Sequence, residues 1–71
     1  MNILELVDGL QCSDDKFAYS CLKELEKMSS ETNDVYNFMD KFIEMFSDSN
    51  SYVRTRGLRL FAVNSKWDTE G

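Results

Sequence analysis

The chain contains no histidine, and that absence limits what its other reactive side chains could do. Cys12 and Cys21 are potential nucleophiles, yet neither has an imidazole to take its proton, and no CxxC pair is present to hold a metal. Ser13 and Lys16 share a spacing used by some acyl-transfer enzymes, with no supporting motif around them. Asp14-Asp15 could bind a cation or pass a proton, but the start of a helix accounts for both carboxylates through its positive dipole end. Asp48-x-Asn50 resembles the opening of a calcium loop, although Val53 replaces the glycine and Arg59 the closing glutamate such a loop needs. No glycine-rich phosphate loop occurs. No catalytic, metal or cofactor-binding residue is therefore expected, and the reading is non-enzymatic.

Two features remain, both on the stretch from Asp48 to Asn64 and its continuation. Arg56, Arg59 and Lys66 fall on one helical face, with Arg54 away from it, and that face could contact a phosphate, a nucleic acid or an acidic partner protein. A solvated helix face is the plainer account. The net charge of −5 disfavours nucleic acid, although residues 1–47 carry ten acids against four bases and residues 48–71 three acids against four bases. The second feature is an excess of apolar positions. Val53, Gly57 and Phe61 suffice to cover preceding helices, while Leu60, Val63 and Trp67 trace another stripe. Two stripes imply cover on two sides, so self-association, as a homodimer, is expected through Leu60, Val63 and Trp67.

These residues need helices to position them. Proline is absent and Leu, Glu, Lys and Met are frequent, which favours helix over sheet. Asn2 followed by Glu5 is a capping box, opening a short helix with Ile3, Leu6, Val7 and Leu10 buried and Gly9 near its stop. Ser13 is the expected cap of a second helix that runs to about Met28 on Phe17, Cys21, Leu22, Leu25 and Met28. Ser29 to Asn33 reads as a linker. A third helix over 34–46 buries Val35, Phe38, Met39, Phe42, Ile43 and Phe46, and after a turn at 47–50 the fourth runs to Ser65 or Lys66. The fold class is thus all-α with four helices in one small domain.

At 71 residues a single core is only marginally stable, so help from a partner surface is plausible. Cys12 and Cys21 lie too far apart along a helix for an easy disulfide, which suits free thiols in a reducing compartment. MNILELVDGL lacks the basic and long apolar regions of a signal peptide, and no window reaches membrane-spanning length. A cytoplasmic, non-membrane location is expected.

Shifted by thirty-six residues, the apolar skeleton falls on itself. Ile3, Leu6, Val7 and Leu10 meet Met39, Phe42, Ile43 and Phe46; Ser13, Phe17, Cys21, Leu22 and Leu25 meet Ser49, Val53, Gly57, Leu58 and Phe61. The halves then form two antiparallel helical hairpins, repeat one over about 1–32 and repeat two over about 33–68. The second half resembles a HEAT repeat of the armadillo-like α-α superhelix class: Asp48 in the turn, Val53-Arg54 early in the second helix and Gly57 at the small-residue position match that family's spacing. The resemblance implies a protein-binding scaffold in which Asp48 and Arg54 join a hydrogen-bonded ladder between repeats. At the first half's corresponding places stand Cys12 and Ala18, as befits a terminal repeat. Over nearly its whole length the chain is also similar to small bacterial HEAT-like proteins sometimes labelled SufBD proteins, as the amino-terminal half of a longer array. Two cysteines without histidine give that label's iron–sulfur implication no chemical support here.

Overall fold

Asn2 opens the first helix as its spacing predicts: its side chain accepts from the Glu5 amide at 2.8 Å, and the Glu5 carboxylate accepts from the Asn2 amide at 3.1 Å. In the computed structural model, which describes residues 2–68, this helix is α1, Ile3–Gly9. Helix α2, Asp15–Glu31, is capped by Asp14 rather than Ser13, with the Asp14 carboxylate accepting from the amides of Lys16 and Phe17. Either residue type caps well, and the aspartate adds a negative charge at the positive helix end. A 3₁₀ turn, Val35–Phe38, leads into α3, Met39–Met45. Helix α4, Ser51–Asn64, is capped by Asn50 and closes in a second 3₁₀ turn, Ser65–Trp67. No strand occurs among the described residues.

Two expected boundaries moved. Helix α2 continues through Ser29 and Ser30, because their hydroxyls donate to the carbonyls of Leu25 and Lys27 and so are satisfied inside the helix. The linker shrinks accordingly to Thr32–Asp34. The third helix begins as a 3₁₀ turn, and four residues at three per turn advance its face by about 80° more than an α-helix would. Phe42 and Met45 consequently fill the core, whereas Ile43 and Phe46, expected inside, are exposed. In α2 the buried face is centred on Ala18, Cys21, Leu22, Leu25 and Ser29, leaving Phe17 at the surface.

Helix α1 packs on α2, α3 on α4, and α2 on α4. One core spans all four, from Leu6, Val7 and Leu10 through Leu22 and Leu25 to Phe42, Val53 and Leu60. Each sequential pair meets at a glycine. A Cβ on Gly9 would lie 2.5 Å from Cys21 Sγ, and one on Gly57 would lie 2.7 Å from Met45 Cβ and 2.9 Å from the Phe42 carbonyl oxygen. Position 9 corresponds to position 45, and 21 to 57, under the thirty-six-residue shift. The same contact is therefore built twice, with the small residue on the first helix of one pair and on the second helix of the other.

Candidate interaction surface

Arg56 is buried, and both ends of its guanidinium reach the first helix pair: Nη1 donates to the Leu10 carbonyl at 2.9 Å and Nη2 to Asp15 Oδ1 at 3.1 Å. The Leu10 carbonyl follows α1, where helix geometry leaves oxygens without an internal partner, and Asp15 begins α2, so one side chain clamps the turn between them. Arg59 forms a two-pronged pair with Glu26, both bonds at 3.1 Å. Lys66 donates to the Ser30 carbonyl at 3.4 Å, and its ammonium lies 4.9 Å from the centre of the Trp67 ring. The three residues expected on one solvated face are all engaged with α2 or the turn before it. Arg56 stands one helical step from Leu60 and Val53, and a base within an apolar stripe is the signal that marks it as buried.

The stripe itself is covered inside the chain. Leu60 has no exposed surface, while Val63 and Trp67 are half-buried, and the Trp67 indole nitrogen donates to the Ser29 carbonyl at 2.9 Å. Of the three residues expected to drive self-association, Leu60 is closed off, and Val63 and Trp67 keep part of their surface accessible. Between α2 and α4, Asn64, also buried, donates to Ser29 Oγ at 3.0 Å and to the Leu60 carbonyl at 2.9 Å, leaving its own oxygen without a partner among the described residues. Contacts Asp15–Arg56, Glu26–Arg59, Ser29–Asn64 and Ser30–Lys66 rise together along both helices, so α2 and α4 run in the same sense.

Asp48 and Arg54 act within their own turn. Arg54 Nη1 donates to the carbonyls of Asp48 at 2.7 Å and Ser49 at 3.2 Å, and Asp48 Oδ1 accepts from the Asn50 amide at 2.8 Å. Among the described residues, the bonds between the two helix pairs come from Arg56, Arg59, Asn64, Lys66 and Trp67. Cys21 is buried and Cys12 partly so, both as free thiols; burial, and then the neighbouring Cys12, pushes the Cys21 thiol above its ordinary pKa.

Two shallow grooves flank α4. One, against α2, is lined by Asp15, Tyr19, Leu22, Tyr52, Thr55, Arg56 and Arg59. The other, on the opposite flank, is lined by Phe46, Ser51, Arg54, Thr55 and Leu58. Beside this second groove the Phe46 ring meets Phe61 edge-on at 5.5 Å, while Leu58 is 58% exposed. Phe46, expected in the core, lies at the surface, as does Leu58, which aligns with the packing position Leu22.

No group of three or more metal-ligating side chains comes together among the described residues, and no described helix is long and apolar enough to cross a membrane. No family model, curated protein or solved structure matches the chain.

Proposed function

We propose that the chain is a non-enzymatic protein-interaction module made of two HEAT-like hairpins, α1–α2 and α3–α4, stacked through their second helices. The observation that carries this reading is the line of side chains from α4 and its closing turn onto α2: Arg56, Arg59, Asn64, Lys66 and Trp67 each bond across the boundary. Such a line fixes how one hairpin sits on the other, and stacked hairpins bury a shared core while leaving helix flanks free for a partner. The apolar groove beside Leu58 is one such flank. A phosphate-binding reading has weaker support, because Arg56, Arg59 and Lys66 are already paired within the chain and the net charge is −5.

Photo-crosslinking in the source cell tests the proposal. A crosslinker at position 58 is expected to capture another polypeptide, and one at Lys27, on the wet flank of α2, is expected to capture none. Absence of any adduct from a scan of all exposed helix positions would overturn the interaction-module reading.

A further inference from the structure

The internal repeat specifies what the free flank of α4 is shaped to receive. Helix α2 sets Leu22 and Ser29 against α4, with Leu25 in the shared core beside them, and all three are buried. Thirty-six residues on, the equivalent positions of α4 are Leu58, Phe61 and Ser65, of which Leu58 and Ser65 are exposed and Phe61 partly so. Helix α2 meets α4 through Asp15, Glu26 and Ser29, whereas α4 meets α2 through Arg56, Arg59 and Asn64, which are not the equivalent positions, so the flank used by α2 recurs on α4 without an occupant among the described residues. What covers that flank on the first hairpin is an amphipathic helix.

Charge distinguishes the second flank from the first. Asp15 and Glu26, which receive the arginines of α4, correspond to Ser51 and Ala62, and Ala18 corresponds to Arg54. The acidic surface has become neutral with one exposed arginine in the groove, whose Nη1 bonds the Asp48 and Ser49 carbonyls and whose charge meets no carboxylate among the described residues. A second copy of this chain, presented through its outward α2 flank, fits this flank poorly. That α2 flank carries Lys16, Lys23 and Lys27, like charges for Arg54.

Resting on the interaction-module reading, we infer that the Phe46–Leu58–Phe61 flank is a docking site for an amphipathic helix of another protein, one with an apolar stripe bordered by acidic residues. The stripe packs on Leu58 and Phe61 in the way α4 lies against Leu22. Arg54 selects the acidic border.

The test uses the full chain, isotope-labelled, titrated with two stapled helical peptides that share a leucine stripe and carry glutamate or lysine borders. The glutamate peptide is expected to shift the amides of Phe46, Arg54, Leu58 and Phe61 and to bind about tenfold more tightly than the lysine peptide. Leu58→Glu, at an exposed position, is expected to keep the helical circular dichroism spectrum and to lose about tenfold or more in affinity. Arg54→Glu is expected to reverse the preference between the two peptides. No saturable binding by either peptide, or equal binding of both, overturns the inference. Binding that shifts Tyr19 and Tyr52 in the groove between α2 and α4 also overturns it, while leaving the interaction-module reading standing. The same holds if sedimentation shows a dimer that Leu58→Glu disperses.

Discussion

Gly57 and Gly9 set how closely the helices approach, and the two differ in what stands opposite. Beside Gly57 lie Met45 Cβ and the Phe42 backbone oxygen, neither of which can swing aside, so Gly57→Ala is expected to destabilise the fold by about 1–3 kcal/mol in urea denaturation. Beside Gly9 the nearest atom is a side-chain sulfur, so Gly9→Ala should cost less, and the loss should shrink further in a Cys21→Ala background. Equal costs for the two alanines would count against this account of the paired contacts. Cys21 also gives stability a pH dependence. The folded chain holds its thiol protonated above the ordinary range, whereas the unfolded chain releases the proton near its usual pKa of about 8.5. This contribution is thus fully present below that value and is lost as pH rises toward the folded pKa. Unfolding free energies measured from pH 7 to 10 should fall more steeply in the parent than in Cys21→Ala.

At the scale of helices, most of the fold was legible in the residues, and the departures have local causes. The Asn2–Glu5 box and the three-and-four spacing of Leu6, Val7 and Leu10 read correctly because α1 uses no exceptional geometry. Ser29 reads as linker because serine ordinarily favours turns, and its place in α2 follows from a long-range contact with Asn64. Met45 was missed because nothing in VYNF announces a 3₁₀ turn, and that turn rotates every later position of the helix. Of the candidate surface, sequence identified the bases on α4 without their partners, since Asp15 and Glu26 lie on a different helix and the pairing is long-range. The cap assignment gives a direct check: Asp14→Ala is expected to cost about 1 kcal/mol by thermal unfolding, and Ser13→Ala close to nothing. The reverse order would restore Ser13 as the cap.

For the molecule as a whole, Arg56 is the latch between the two helix pairs. Arg56→Ala removes a buried cation, strands the Leu10 carbonyl and opens a void, and is expected to destabilise by about 2–4 kcal/mol in denaturant titration. Arg56→Lys should recover only part, because a single ammonium cannot present the flat fork that meets both the carbonyl and Asp15. A loss below about 0.5 kcal/mol for the alanine variant, typical of a surface site, would remove the latch. Trp67, whose indole bonds to the Ser29 carbonyl, is the chain's single tryptophan. Its intrinsic fluorescence therefore gauges whether the halves are joined, independently of how much helix persists. Where that emission changes before ellipticity does, the molecule has come apart at its seam while its coils stay wound.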